Sequence, residues 1–227
     1  MTHPPPPSTG KGAVDALTDN FDAILSGFWL TLRLLLVSGA GALVLGTLFA
    51  AMRMSPVPIM RGAAAAYVVI FRNTPLLILI ILTYYGLPEI GIRFSFFVMV
   101  SLAMTVYTST FVTESLRAGV NAIPLGQAEA ARSIGMPFGL TMTQVILPQS
   151  FRAVVPPLAS VLIALTKNTS LAASFGLAEA TFRLKGLLND HATERFAIFV
   201  GIALGYIIIV EVISFGAAFL ERRWRTA

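Results

Sequence analysis

Charged and polar side chains interrupt the long apolar runs of this sequence at four places. Four segments have residue types and spacing that could support binding or catalysis. They contain Glu129, Ala130, Ala131, Arg132 and Gly135; Lys167, Asn168, Thr169 and Ser170; Arg72, Asn73 and Thr74; and Glu114 with Arg117. Such groups can form ion pairs, hydrogen bonds and contacts with a charged solute. An intramembrane enzyme would need a nucleophile with a base, and the chain contains no GxSxG, HExxH or G-x-x-x-x-G-K-[ST] motif. We therefore predict that this chain is not an enzyme and binds no cofactor of its own.

The composition is that of a membrane protein. The 227 residues are 56% hydrophobic and 12% charged, and the mean hydropathy is +0.80. Soluble domains carry about 25% charged residues, so the bilayer rather than water is the main solvent of this chain. The sequence has no cysteine, which excludes disulfides and cysteine-ligated metals. We expect lipid contacts, no metal site and no nucleic-acid partner.

Five apolar runs are long enough to cross a hydrocarbon core of about 30 Å, which takes roughly 20 helical residues. They lie at 28–52, 64–88, 94–116, about 140–166 and 196–220. The second run is interrupted by Phe-Arg-Asn-Thr-Pro at 71–75, and the fourth contains three prolines. The sequence therefore predicts an all-α membrane protein with five transmembrane helices.

The basic residues between the spans indicate the orientation, because lysine and arginine are enriched in cytoplasmic loops. With an external N-terminus, the cytoplasmic side receives Arg53, Arg61, Arg117, Arg132, Arg152, Arg222, Arg223 and Arg225, and the outside receives Lys11, Arg93, Arg183, Lys185 and Arg195. We therefore predict an external N-terminus and a cytoplasmic C-terminus. We also predict a flexible proline-rich tail at 1–20, a transmembrane domain at 21–222 and a cytoplasmic tail at 223–227.

The segment IPLGQAEAARSIG at 123–135 predicts a short cytoplasmic helix. Proline stands near its start and glycine at its end, the usual asymmetry of helix boundaries. With about 11 helical residues and a length of roughly 16 Å, the helix is far too short to span the membrane. Its alanines permit close approach by another surface. From residue types alone, docking into a groove of a partner protein and lying on the membrane interface both remain open.

A longer pattern begins in this helix. It consists of Glu-Ala-Ala at 129–131, three residues, Gly135, nine residues, Val145, one residue, and Leu-Pro at 147–148. The pattern is similar to the EAA signature of permease subunits of ABC importers, with Val145 in place of isoleucine. The segments FWLTLRL, FRNTPLL, YYGLP, ESLRAGV and LTKNTSL resemble the polar amino-acid permease family over roughly 26–222. VYTSTFVTESLRAGVN, GQAEAARSIG and LIALTKNTS are most similar to glutamate permeases of actinobacteria.

The resemblance implies a type I ABC importer permease in a bacterial plasma membrane. Two permeases would form the pathway, two ATPase subunits would bind ATP and Mg, and an extracytoplasmic binding protein would deliver the amino acid. The EAA helix would sit in an ATPase cleft, with Glu129 facing a basic partner and Gly135 allowing the turn after the helix. Similarity to the glutamate systems favours a heterodimer of homologous permeases over a homodimer. Glutamate is the leading substrate, and glutamine, aspartate or another polar amino acid is the alternative.

Polar groups at membrane depth mark solute pathways, because an unsatisfied polar atom in hydrocarbon is costly. The Lys-Asn-Thr-Ser segment at 167–170 can complement the carboxylates of an acidic amino acid, and a polar helix cap at the external interface is the alternative. Many relatives carry aspartate at the position of Asn168, so its absence fits an acidic substrate better than a cationic one. Arg72, Asn73 and Thr74 lie beside Pro75, where they either line the pathway or let Arg72 snorkel to an interface.

The other polar positions have structural interpretations. Glu114 and Arg117 stand three residues apart on one helical face, which predicts an ion pair, and the resemblance leaves a role at the gate open. Glu211 is expected to pair with a cation from another span. The external loop at 171–195 is expected to contact the binding protein through Phe175, Glu179, Arg183, Lys185, Asp190 and Glu194.

Small and hydroxyl residues recur within the first and third spans. They are Gly39, Gly41 and Gly46, and Thr105, Thr108, Ser109 and Thr110. The hydroxyls could line a path or satisfy neighbouring helices. Small residues are common at helix contacts in membranes, so packing is the favoured interpretation for both sets.

Overall fold

The computed structural model describes residues 13–191 and 193–225, and the regular elements in these ranges are helical. The helices are α1 (Ala13–Thr18), α2 (Phe21–Arg53), α3 (Pro58–Asn73), α4 (Leu76–Ile81), α5 (Leu87–Glu89), α6 (Phe96–Asn121), α7 (Leu125–Ser133), α8 (Phe138–Leu140), α9 (Leu147–Asn168), α10 (Ala180–Asp190) and α11 (Arg195–Arg225). Two π-helical segments, Leu82–Gly86 and Thr141–Ile146, lead into α5 and α9, and a 3-10 segment at Thr169–Phe175 continues α9. The predicted all-α class is confirmed.

Four helical stretches in the described ranges are long and apolar enough to cross a membrane by themselves. They are Phe21–Arg53, Phe96–Asn121, Phe138–Phe175 and Arg195–Arg223. The second predicted span is a pair of helices, α3 and the stretch Leu76–Glu89, bent by 99°. Thr74 and Pro75 are extended at the bend, because proline disfavours helical backbone in the residue before it. The protein therefore has five spans if the bent pair counts as one, and the break lies where the sequence predicts it.

Each π-helical segment directly precedes a leucine-proline pair. The pairs stand at 87–88 and 147–148. Proline has no amide hydrogen and its ring clashes with the carbonyl four residues back, and a wider turn ahead of the ring is one way a helix absorbs this disturbance. The helical path thus continues through both prolines.

The hydrophobic core lies where α2, α4, α6 and α9 meet, around Leu34, Ile80, Met104 and Leu165. α10 packs over the first turns of α2 and against α11 at one end of the bundle. The C-terminal ends of α2 and α6 and the start of α9 meet at the other end. α7 leaves the bundle from there, and we call this end the α7 end.

Gly46 permits the close approach of α2 and α6. A methyl group added at Gly46 would lie 2.6 Å from Val112 and 2.9 Å from the backbone oxygen of Ser109. We therefore expect Gly46→Ala to destabilise the protein by about 1–3 kcal/mol, seen as a lower midpoint of thermal unfolding of the purified transporter. Gly62→Ala is the matched control, because among the described residues no atom outside its chain neighbours and the nearby backbone of its own helix lies within 4 Å of its added methyl group. Equal midpoints for the two variants would contradict this role of Gly46.

The structure corrects the predicted boundaries of the two tails, at 1–20 and at 223–227. Ala13–Thr18 are helical rather than part of a flexible tail at 1–20, because Ala16 is buried in one cluster with Leu187 and Ile198. α11 continues to Arg225, so the tail predicted at 223–227 begins inside a helix. The rest of the predicted tails, at 1–12 and 226–227, lies outside the described residues.

Candidate coupling helix and solute cavity

The short helix predicted at 123–135 is α7, nine residues long. It ends in a Schellman motif, in which the Gly135 amide donates to the Arg132 carbonyl at 3.0 Å and the Met136 amide donates to the Ala131 carbonyl at 3.1 Å. Gly135 has a φ of +83°, in the left-handed region that glycine adopts at low cost. A tight turn is therefore present at Gly135, as the pattern predicts.

The charged side chains of α7 face outward. Glu129, Ala130 and Arg132 are exposed, and neither charged group forms an ion pair with another described residue. Ala131, predicted to contact a partner, is instead buried at 5% exposure, and α7 packs against the Thr141–Ile146 segment. Ala131 therefore positions the helix, while the two charges remain available to another molecule.

Large apolar side chains lie at the first residue of α7 and just after its end, and the sequence interpretation did not include them. Leu125, Ile134 and Phe138 are 82%, 79% and 76% exposed. Apolar patches rimmed by polar groups mark protein or membrane contacts. The signal in the sequence was the occurrence of these residues beside a charged helix that is too short to span.

Glu114 links two helices at the α7 end. Its carboxylate accepts from Arg117 Nη2 at 2.6 Å and from Arg53 Nη2 at 3.3 Å. The ion pair predicted on α6 is therefore present, and Arg53 of α2 extends it. Spacing along one helix could not reveal Arg53, which lies 61 residues away in sequence.

A cavity of about 390 Å³ lies between α6 and α9. It is lined by Tyr107, Thr108, Phe111, Ser160, Val161, Ala164, Leu165 and Asn168. The guanidinium carbon of Arg72 lies 5.0 Å from the centre of the Phe111 ring, a distance typical of cation–π contacts. Of the predicted pathway residues, Asn168 lines the cavity, whereas Arg72 is exposed and reaches only the ring of the lining residue Phe111.

The other predicted pathway residues lie elsewhere. The hydroxyls of Thr169 and Ser170 each donate to the carbonyl three residues earlier, at 2.7 Å, and that of Thr74 donates to the carbonyl four residues earlier, at 2.8 Å. These bonds satisfy local backbone groups. Lys167 and Asn73 are exposed and are not among the residues that line the cavity.

Three polar or aromatic lining residues were missed by the sequence interpretation, namely Tyr107, Phe111 and Ser160. The signal was helical spacing, because Tyr107 and Phe111 stand four residues apart, as do Ser160, Ala164 and Asn168. Each set therefore lies on one helical face. That the two faces meet is visible only in the folded protein. Thr108 also lines the cavity, whereas Thr105 donates to a backbone carbonyl of α2, in keeping with packing.

The segment at 171–195 differs from the predicted external loop. It contains most of the 3-10 segment and all of α10. Phe175 is half-buried, with its ring centre 5.8 Å from that of Tyr84, and Glu179 is fully buried. The prediction that Glu179 contacts a binding protein is therefore wrong, and that for Phe175 stays a prediction, whereas Lys185 and Asp190 are exposed.

Glu211 does not have the predicted partner. It is exposed on α11 and forms no ion pair within residues 13–191 and 193–225. Val212 and Phe215 beside it are 67% and 77% exposed. The expected cation from another span of this chain is thus absent because this face of α11 lies outside the bundle.

Residues 42–226 match the family described as binding-protein-dependent transport system inner membrane component. The chain belongs to this family. It is 39% identical over 213 residues to the glutamate transport system permease protein GluC of Corynebacterium glutamicum, covering 88% of this chain and 93% of that protein. It is 35% identical over 210 residues to the probable glutamine ABC transporter permease protein GlnM of Bacillus subtilis, covering 92% and 97%.

Solved structures give the same assignment of the fold. A crystal structure of an amino acid ABC transporter with histidines matches with a TM-score of 0.85 and 28% identity, over 95% of this chain and 100% of that chain. The type I ABC permease fold and the family resemblance predicted from the EAA pattern are therefore confirmed. The relatives carry the names of transport permeases, not of enzymes.

Proposed function

We propose that this chain is one permease subunit of an ATP-driven importer of polar amino acids in the bacterial plasma membrane, with glutamate as the leading substrate. The observation that carries the proposal is α7, an exposed charged helix that ends in a left-handed glycine within the EAA pattern. Such a helix can pass motion from an ATPase to the spans. Relatives named as glutamate and glutamine permeases support the solute class.

In this proposal the α7 end faces the cytoplasm, so that the N-terminus is external and the C-terminus is cytoplasmic. Two ATPase subunits bind ATP and Mg, and α7 inserts into a cleft of one of them. Glu129 and Arg132 set the orientation of α7 there, while Leu125, Ile134 and Phe138 supply apolar contact area. An extracytoplasmic binding protein docks at the opposite end, where Lys185 and Asp190 are exposed.

The solute pathway in this proposal runs past the cavity between α6 and α9. Arg72 provides a cation for a carboxylate, and the Asn168 side chain provides an amide donor. Because no acidic residue is among the described residues that line this cavity, an acidic amino acid is favoured over a cationic one. The second half of the pathway comes from another permease subunit, and we favour a homologous partner over a second copy of this chain.

Changing Asn168 should alter which amino acids are carried. Asn168→Asp adds a carboxylate to the cavity, and like charges brought together cost several kcal/mol. We expect this variant to reduce glutamate uptake at least tenfold, and Asn168→Ala, which removes the amide without adding charge, to reduce it less. Uptake of labelled glutamate is the measurement, at matched levels of protein in the membrane. Equal uptake by wild type and Asn168→Asp would contradict solute contact at this position.

The substrate itself is tested by uptake of labelled glutamate in energised cells with and without this chain. Unlabelled glutamine, aspartate and arginine serve as competitors. The assignment is supported if cells without this chain lose glutamate uptake and if, in cells with it, only acidic amino acids compete with that uptake. Unchanged glutamate uptake with loss of another amino acid's uptake would support the importer and exclude glutamate as its substrate.

Lys167→Ala distinguishes solute contact from a helix cap. Its glutamate uptake is compared with that of Arg93→Ala, an exposed change far from the cavity. A larger loss for Lys167→Ala supports solute contact, and an equal loss supports the cap.

A further inference from the structure

A second cavity, of about 610 Å³, opens at the α7 end of the bundle. Its lining residues are Arg53, Met54, Arg61, Arg117, Val120, Asn121, Phe138, Met142 and Leu147. The three arginines lie at helix ends, because Arg53 is the last residue of α2, Arg61 lies in the first turn of α3, and Arg117 lies in the last two turns of α6. Arginines near the ends of membrane-spanning helices extend to the interface, where lipid headgroups lie.

The charge of this cavity is positive. Glu114 accepts hydrogen bonds from Arg53 and Arg117, and no acidic residue is among the described residues that line the cavity. Three positive charges against one negative charge leave a net charge of +2. Arg61 contributes most to this excess, because its guanidinium contacts a backbone oxygen, that of Ser55 at 3.5 Å, and no carboxylate of the described chain. Glu114 meanwhile holds the other two guanidiniums in place.

An apolar groove continues from the cavity along α2, α6 and α9. The groove has a volume of about 330 Å³ and is lined by Thr47, Ala50, Ala51, Met54, Leu116, Val120, Leu147, Ser150, Phe151 and Val154. It shares Met54, Val120 and Leu147 with the cavity. A basic cavity and an apolar groove are therefore joined in one site, with the charged part at the helix ends.

This combination indicates which kind of molecule fits. A soluble anion would use the arginines but not the groove, and an apolar segment would use the groove but leave the arginines without a counterion. An anionic phospholipid satisfies both parts, because its phosphate accepts hydrogen bonds from guanidinium groups and its acyl chain removes the groove from water. Basic pockets between spans are a known form of headgroup site.

We propose that the arginine cavity and the adjoining groove bind one anionic phospholipid, with its phosphate among Arg53, Arg61 and Arg117 and one acyl chain between α2, α6 and α9. This site shares no lining residue with the solute cavity, and it borders the proposed ATPase contact at Phe138. It needs only that the chain lies in a membrane, so it does not depend on which amino acid is transported. The lipid ties together the ends of α2, α3 and α6 beside the helix that meets the ATPase.

The test uses the assembled transporter, purified in detergent and stripped of lipid. Native mass spectrometry follows the binding of dioleoyl phosphatidylglycerol, dioleoyl phosphatidylcholine and inorganic phosphate. We expect one tightly bound phosphatidylglycerol per copy of this chain and weaker binding of phosphatidylcholine. Arg61→Gln should weaken phosphatidylglycerol binding about fivefold, the effect of one basic residue near an anionic headgroup. Arg223→Gln, an exposed arginine at the same end but outside the cavity, should not weaken it.

A second variant tests the groove. Ala51 is exposed in the groove, so Ala51→Phe fills the groove without altering the arginines, and we expect it to weaken phosphatidylglycerol binding. Equal binding of the two lipids, or phosphatidylglycerol binding unchanged by Arg61→Gln, would overturn the proposal. If inorganic phosphate competes with phosphatidylglycerol and Ala51→Phe leaves phosphatidylglycerol binding unchanged, the cavity binds a free anion instead of a lipid. Because the readout is lipid mass, none of these outcomes depends on transport.

Discussion

Gly135→Arg is expected to abolish amino-acid uptake while the protein remains in the membrane. A side chain in the left-handed conformation of Gly135 costs about 1–2 kcal/mol, which is small beside the stability of a folded domain. Apart from its two chain neighbours, no described residue has an atom within 4 Å of the added Cβ, so the arginine projects outward beside α7. Under the proposed docking it blocks the ATPase. Uptake of labelled glutamate and the amount of ATPase that copurifies with the chain are the measurements.

Gly91→Arg is the matched control. Gly91 has the same φ of +83° and equally open surroundings, but it lies in the connection before α6, at the end opposite α7. It carries the same backbone cost and the same added charge, so it should retain the copurified ATPase. Loss of copurified ATPase in both variants would show that strain, not docking, is responsible.

Glu129→Lys tests the same interface through charge. Removing one partner of a buried interfacial charge pair costs about 2–5 kcal/mol, which corresponds to at least a thirtyfold loss of association. We expect uptake to fall accordingly, with normal membrane levels, whereas Glu89→Lys, at an exposed glutamate of the opposite end, should have little effect. ATP-coupled transport retained in both Glu129→Lys and Gly135→Arg would refute the coupling role of α7.

Glu179→Ala is expected to lower the stability of the protein by about 3 kcal/mol or more. The Glu179 carboxyl accepts from the Phe182 amide at 2.9 Å, from Tyr206 Oη at 2.7 Å and from Thr31 Oγ1 at 3.3 Å. It is fully buried and caps the N-terminus of α10. Each lost hydrogen bond costs about 1 kcal/mol, and buried donors left without an acceptor cost more, while the cap adds up to about 2 kcal/mol.

The measurement is the midpoint of thermal unfolding of the purified transporter. A loss of about 3 kcal/mol should lower it by roughly 6–12 °C for a chain of this size. Glu179→Gln keeps one carbonyl oxygen and should have a smaller effect, and Glu89→Ala is the exposed control. Combining Glu179→Ala with Tyr206→Phe should be less than additive, because the two groups share a bond. Additive losses would mean that the carboxyl acts independently of Tyr206.

Much of the fold follows from local sequence features. The apolar runs predicted five spans, and Pro75 predicted the break in the second. The terminal glycine of the EAA pattern predicted the turn that Gly135 makes. These features are local because helix formation, chain breaks and span length depend on residues close together in the chain. The π-helical segments ahead of the two leucine-proline pairs were not predicted, although the prolines were visible.

Burial corrected the interpretation at particular residues. Ala131 belongs to the EAA pattern, yet it is buried while Glu129 and Arg132 are exposed. Glu179 lies in a segment of mixed charge that suggests an exposed loop, yet it is fully buried. Residue type could not distinguish these cases, because a glutamate with three hydrogen-bond donors around it can be buried, and two of those donors, Tyr206 and Thr31, come from other helices.

The sequence by itself determined the membrane class, the family, the short exposed helix and the position of the broken span, since each depends on composition or on neighbouring residues. Only the tertiary structure decided which distant side chains share a site. It brought Arg72 to Phe111, which lines the cavity that contains Asn168, joined Arg53 to Glu114, and placed an arginine cavity beside an apolar groove. Contacts between helices depend on which faces pack together and at what depth, and spacing along one helix does not encode either.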